Sequence, residues 1–458
     1  MTPEKERQVL ESLYDRLHDA ISYSPEGKNA AFNPATSYIQ MAKNVVLNPD
    51  DFKNMMTPLN PGGDLRQAEA FSALVDAQPN PEPLWSDSGK QLSATYSTIV
   101  NGANTDATVS EEQKKIYEMA FNYLNTTSTV TGFDGSTTTQ TNPSQIATAY
   151  DNNLAAYVTA VGGYRTAYNG YDLSDVKDQR AWNAVQPGLQ LTVDQAWNKW
   201  NNEGRKQVDE AQAAMASSIN NAIASTIANS QALVNGQHQM APSTAGGNPW
   251  LPSYALPSNW MDPSIKATEL TLKSSYLNKT ASSSATSYAA SASGSWGLWH
   301  ASAGVSGSHE ENHAHMDAEN LELSAELVFV QIKRPWFNPL LFSMNDWWVD
   351  GFNKNGISDG LNPPSGALPL IPTGMIVARN VSITADFSSE DKSFVANSIK
   401  TEASGGWGPF SVSGSYSHSD SKSTFASKFD GGTLKLPGLQ VIGWVSAINH
   451  ASAPMDPK

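Results

Sequence analysis

The histidines are the first residues whose type and spacing could do chemistry. Three of the chain's eight fall in HEENHAHMD, residues 309–317, with His300 a short way upstream. On an extended strand His313 and His315 project from the same side. Glu310, Glu311 and Asp317 add carboxylates, giving a donor set suited to Zn2+ or another divalent ion. No closed zinc pattern has this spacing. His309, His313 and His315 therefore rank as weak metal candidates, a polar turn or hairpin leg is the favoured reading, and no cofactor is expected. NDWWVDGFNKNGISDG, residues 345–360, has the composition of a Ca2+ loop without its Asp/Asn spacing, and reads as a turn-rich connection. Serine is abundant, but there is no nucleophile elbow, P-loop or dinucleotide fingerprint, so catalysis is the least supported class and the chain is not expected to be an enzyme.

Composition narrows the partners. Asp+Glu number 44 against Lys+Arg 29, a formal net charge of −15, and no basic block occurs. Such a chain is repelled by phosphate backbones, which excludes nucleic acid as the expected partner. The same charge weakens docking on anionic lipid, although apolar contact can dominate there. Cysteine is absent, removing disulfides, thiolate metal sites and cysteine nucleophiles together. The start, MTPEKERQVLESLYDRLHDAIS, is charged and helical and lacks the apolar core of a signal peptide, and no run of about 18 apolar residues occurs. The expectation is a protein made soluble in the cytoplasm, with release by a route that needs no signal peptide left open.

Four regions follow from patterning. Residues 1–104 read as irregular and partly helical, with an amphipathic helix at 3–22 carrying Val9, Leu10, Leu13 and Leu17 on one stripe. Short helices are expected at 51–57 and 64–77. Residues 105–235 read as helical. A helix begins after Ser110 with Ile116, Tyr117, Ala120, Tyr123 and Leu124 on one face, a second follows Pro143, and a long Ala-rich helix begins near Thr192, with any break at Gly204. Residues 236–266 form a Pro/Gly linker, pinned by Trp250 and Trp260. Residues 267–458 read as strand throughout. RPWFNPLLF, residues 334–342, and the Trp347–Trp348 pair read as buried apolar surface. The fold class is α+β: a helical N-terminal half followed by a β domain.

That β domain is written twice. SGSWGLWHASAGVSGSH at 293–309 and SGGWGPFSVSGSYSH at 404–418 align at an offset of 111, which also sets ELTL at 269–272 on NVSI at 380–383. The match runs ungapped for about 30 residues, pointing to two duplicated strand–long hairpin–strand units. Within the excursions Phe410, Val412 and Tyr416 alternate with serines, as do Ala and Val305 in the first copy, the period of a hairpin. Ala, Ser and Gly have weak β-propensity, so such hairpins must lean on something else. The residues expected to meet lipid or a neighbouring subunit are Trp296, Trp299, Val305, Trp407, Phe410, Val412 and Tyr416.

Over residues 267–447 the arrangement is similar in outline to membrane-attack-complex/perforin-like pore formers, which carry two such segments between sheet strands, although their Trp-Gly-Thr-His-type signature does not occur here. The resemblance implies a self-associating protein that binds or perforates membranes through two amphipathic β-hairpins, with a homo-oligomer and a lipid membrane as partners. Two alternatives stand beside it: a self-assembling structural subunit of a filament, tube or shell, and a soluble ligand-binding protein. For the histidine cluster, equilibrium dialysis should show no stoichiometric Zn2+ uptake. Tight one-to-one uptake that disappears in His313→Ala/His315→Ala would establish a metal site instead.

Overall fold

The computed structural model describes residues 2–22, 37–57, 60, 62–106, 111–131, 137–171, 176–217, 219–237, 239–240, 242, 248–265, 267–277, 283–295, 297–301, 317–400, 405–415 and 424–458. Helix α1 (Pro3–Ser22) forms where the apolar stripe lies: Val9, Leu10, Leu13 and Leu17 are buried, and the Lys5 amide donates to Thr2 Oγ1 at the helix start. Strand β1 (Ser37–Leu47) follows, then α2 (Leu65–Leu74), capped by the Asp64 carboxylate, and α3 (Leu92–Asn101). The helix expected at 51–57 is only a 3-10 turn at Pro49–Asp51.

Helix α4 (Glu111–Leu124) runs directly into strand β2 (Asn125–Thr131), which pairs antiparallel with β3 (Thr137–Pro143). No hairpin was expected inside this region. Its signal is the β-branched, Thr-rich composition on both sides of the GFDG sequence at 132–135. Only part of the expected α4 stripe faces inward: Tyr117 and Ala120 are buried, while Ile116 and Tyr123 are exposed, as is Met119 beside them. Helices α5 (Gln145–Asn169) and α6 (Val176–Trp200) pack antiparallel, and α7 (Lys206–Ser217) and α8 (Ile219–Ala232) follow. The chain leaves helical geometry at Glu203 and Gly204 (φ 102), the expected break; a Cβ at Gly204 would sit 2.7 Å from Ile146. The helix before that break starts well ahead of Thr192 and contains Pro187. Packing supplies the reason, because Trp182 is buried among Tyr164, Tyr168 and Tyr171, and tertiary contact overrides the local breaker.

The C-terminal half supplies β4 (Tyr254–Leu256), β5 (Thr268–Lys273), α9 (Ser283–Ser295), β6 (Trp299–Ala301), β7 (Asp317–Lys333), β8 (Leu370–Asp386), α10 (Ser389–Lys400), β9 (Gly405–Trp407), β10 (Phe410–Ser411), β11 (Ser413–Ser415), β12 (Thr424–Ala426), β13 (Lys428–Asp430), β14 (Thr433–Leu436) and β15 (Leu439–Ile448). An eight-stranded antiparallel sheet runs β1-β15-β8-β7-β4, with β5 also on β7 and β14, carrying β13, on β8. The expected linker is pinned: part of it is strand β4, and Trp260 is buried against Phe52 and Phe71. Trp336, Leu341, Phe342 and Trp347 are likewise buried, around Tyr96.

Both faces of the sheet are covered. On one, Leu270, Leu272, Leu321, Leu323, Val381 and Ile383 meet α1, α9 and α10; on the other, Val328, Val330, Met375 and Val377 meet Phe71 and Trp260. Strand β8 needs one extra residue to serve the first face along its length. Ser324 pairs with Ser382 but Glu326 pairs with Arg379, so Asn380 and Val381 together face Ala325 in a bulge, and Asn380 takes φ 50. Ile376 and Ala378 before it, and Val381, Ile383 and Ala385 after it, all join the same core. The Glu326 carboxylate closes the bulge, accepting from Arg379 Nε at 2.7 Å and Asn380 Nδ2 at 2.9 Å. Arg379 also donates to the Asp262 and Ile265 carbonyls, both at 2.7 Å, which ties the connecting loop to the sheet.

The hydrogen bonds from Asn380 and Arg379 hold the Glu326 carboxyl below its ordinary range. Stability from a lowered carboxyl is complete above its unfolded pKa and is lost as pH falls through the folded value, so acid weakens this clamp. Arg379→Met, which also strands two carbonyls, should cost roughly 2–3 kcal/mol. Glu326→Gln should lower the neutral-pH midpoint and flatten its fall on the acid side. Calorimetry checks both, and unchanged midpoints would show the clamp to be inert.

Candidate functional site

The first excursion leaves β5 and returns as β7; the second leaves β8 and returns as β14. Each contains a helix where a hairpin leg was expected, which corrects the reading of this half as strand throughout. In α9 the sequence SSATSYAASASGS buries Ala285, Tyr288, Ala289 and Ala292, a spacing of three and four residues, and alanine is the best helix former. Helix α10 opens on a reciprocal capping box: the Asp391 amide donates to Ser388 Oγ at 3.1 Å and the Ser388 amide to Asp391 Oδ2 at 2.8 Å. Glu390 and Asp391 in its first turn and Lys400 in its last suit the helix dipole, while Phe394 and Val395 face the core.

Beyond these helices the two Trp-Gly segments meet. Strands β6, β9 and β10 form a three-stranded sheet in which Trp299 lies opposite Trp407, His300 opposite Gly406 and Ala301 opposite Gly405. The Gly408 amide donates to Leu298 O at 2.6 Å, and His300 Nε2 donates to Gly408 O at 2.7 Å. Helix α1 closes over the junction, its buried Glu6 carboxylate accepting the Leu298 amide. Gly297 (φ 66) and Gly408 (φ 55) stand 111 residues apart, both in the left-handed region that a turn after each tryptophan requires. A Cβ at Gly408 would also press on Leu13 at 3.3 Å.

The expected contact residues therefore fall in two groups. Trp299, Trp407, Phe410 and Val412 are buried within the chain; Trp296, Val305 and Tyr416, like His309, His313 and His315, lie outside the described residues. Trp407, expected to meet lipid or a neighbouring subunit, has 0% exposure in this chain. Trp299, 4% exposed, packs edge-on against Phe387 and Phe394. Alternation does not divide inside from outside here either, because Ser411 and Ser413 are as buried as Phe410 and Val412. The Gln440 side chain explains part of this, accepting the Ser411 amide at 2.7 Å and donating to its carbonyl at 3.1 Å.

At the outer seam Tyr288 of α9 stacks on Tyr14 of α1, ring centres 4.9 Å apart. Burial pushes both phenols well above their ordinary range, so neither carries charge at any ordinary pH. Beside them a cleft of about 320 Å³ is lined by Tyr14, His18, Tyr38, Glu82, Ser287 and Pro363 among others. Trp299 Nε1 is buried without a hydrogen-bond partner among the described residues. Also among the described residues, no group of three or more His, Cys, Asp or Glu is placed to hold a metal ion, and no helix is long and apolar enough to cross a membrane.

Sealed tips carry core energy. Trp407→Ala and Trp299→Ala should each cost about 3–5 kcal/mol and lower the thermal midpoint sharply in differential scanning calorimetry. Unchanged midpoints would mean that the indoles do not hold the excursions down. No family model, curated protein or solved structure matches this chain.

Proposed function

We propose that the chain is a self-associating protein that inserts its two excursions into membranes, each opening from helix and short strand into an extended hairpin. The observation that carries this reading is the equivalence of the two excursions. Both leave and re-enter one antiparallel sheet, both cover the same face, and both are built on short helices with alternating segments beyond them. The strands at their roots are already antiparallel and hydrogen-bonded, so extension would prolong an existing ladder and would create no new topology.

The energetics favour a stored segment over a permanent one. Ala, Ser and Gly of α9 bury little apolar area each, so unpacking that helix costs little per residue. The larger anchors are Trp299, Trp407 and Phe410, whose apolar area lipid can cover in place of the core. A closed barrel pairs every backbone group, which lets a Ser/Ala-rich hairpin cross hydrocarbon where no described helix of this chain is suited to do so.

A self-assembling structural subunit is the second reading. The full burial of Trp407, Phe410 and Val412 favours it, because those residues already have a role in the isolated chain.

The test uses the absence of cysteine. Single cysteines placed in turn along 283–295, beginning with the exposed Thr286 and Ser287, should report a helical period in buffer. On phosphatidylcholine–cholesterol vesicles a polarity-sensitive label should change to a period of two, together with release of a trapped dye. Ordered particles in plain buffer, with no dye release from any lipid mixture and no change of period, would overturn the membrane reading and promote the structural one.

A further inference from the structure

Hairpin β2–β3 stands apart from every other strand. It makes a two-stranded sheet of its own, touching the rest of the fold near its base through α4, α5 and the turn at Leu233–Gln237. Among the described residues neither strand has a second strand beside it, and Thr126–Thr129 of β2 are exposed. A lone two-stranded hairpin is marginal in water. Soluble proteins blunt such edges with charge, proline or a covering segment. Here NTTSTVT and TTTQTNP contain no charged residue, and the one proline closes the second strand at its base.

We propose that this hairpin is the surface through which one copy of the chain takes up another, the ladder continuing from the edge of one hairpin to the edge of the next. Three observations select a second copy over other occupants. The register sets Thr127 opposite Thr141, Thr129 opposite Thr139 and Thr131 opposite Thr137, so the ladder already pairs threonine with threonine. An identical strand added at an edge continues that pairing. Copies carrying a net charge of −15 repel one another, and close approach is cheapest where a surface has no charge. Finally, α4 leads into β2 with Ile116, Met119 and Tyr123 exposed along one stripe, Met119 by 64%, giving apolar area contiguous with the open edge. Since among the described residues neither strand has a further strand beside it, each copy can hold one neighbour on either side, the arrangement that builds rings or filaments.

The proposal rests on the self-association part of the reading above and is independent of insertion. Full-length wild type, Thr127→Lys/Thr129→Lys, Thr127→Val/Thr129→Val and Met119→Lys are compared by sedimentation velocity over a concentration series. Dye release and subunit counting on phosphatidylcholine–cholesterol vesicles run in parallel. Wild type and the valine pair should assemble alike. The lysine pair should associate at least about tenfold more weakly with an unchanged thermal midpoint, equivalent to about 1.4 kcal/mol or more. Met119→Lys lies on an exposed helical face, so it keeps the result readable if the lysine pair folds poorly, and it should weaken assembly in the same direction. A lysine pair that assembles like wild type overturns the interface, as does wild type that stays monomeric both in buffer and on vesicles. Assembly in buffer without dye release leaves the interface standing and removes the membrane reading. Dye release by the lysine pair at the wild-type level, together with unchanged assembly, removes the interface and leaves the membrane reading.

Discussion

The pairing of strand β6 with strand β9, each beside one of the duplicated Trp-Gly positions, is the contact on which the C-terminal half depends. Excursions rich in Ala, Ser and Gly carry few large side chains with which to build a core of their own. What they have is one aromatic cluster at each tip, and the two clusters close on each other. Trp299 sits opposite Trp407, Gly408 and Leu298 share a backbone hydrogen bond, and His300 donates to the Gly408 carbonyl. Helix α1 completes the enclosure, its Glu6 carboxylate accepting a Leu298 amide that would otherwise be buried and unpaired. An N-terminal element thus depends on the duplicated half, and the duplicated half on it.

That enclosure has a second requirement, which is phase. Side chains on a strand alternate, so a single-residue slip moves an entire apolar set to the other face. Strand β8 would slip in this way beyond Arg379 without the bulge at Asn380–Val381. With it, Val381 and Ile383 stand on the same face as Leu270 and Leu272, their counterparts 111 residues earlier. The Glu326 carboxylate, held by Arg379 and Asn380, makes the re-phasing a partly exposed, ion-paired feature. The two excursions can share one core only because their root strands are in register with it.

The sequence revealed strong periodicities better than weak ones. The α1 stripe, the strands at the excursion roots and the break at Gly204 were all legible, because each is written in large apolar residues or in a glycine whose neighbours leave no room for a Cβ. Helix α9 was not, since its inward face is three alanines and one tyrosine, a pattern that a strand of small residues mimics over short windows. Hairpin β2–β3 was hidden by the helices around it, although its threonines carried the β-propensity. The burial of Trp407 could not be read at all. Glycines flanking a tryptophan suit a projecting indole and an inward one equally, and the choice is made by Leu298, His300 and α1, which are remote in sequence.

Placement of the two kinds of surface has a consequence for order of events. The residues that lipid could cover, Trp299, Trp407 and Phe410, are shut inside, whereas uncharged Thr126–Thr129 of β2 and the Met119 stripe are exposed in the same conformation. Association through the hairpin therefore needs no prior opening of the core, while opening of the core must break the tip pairing and displace α1. Releasing large aromatic side chains into water is costly, of the order of several kcal/mol for two tryptophans and a phenylalanine. That cost falls away only where an apolar acceptor is already adjacent. Under the proposed reading, gathering copies first and releasing the tips second lowers that cost, because a neighbour held at the hairpin would keep each excursion close to a surface that can receive it.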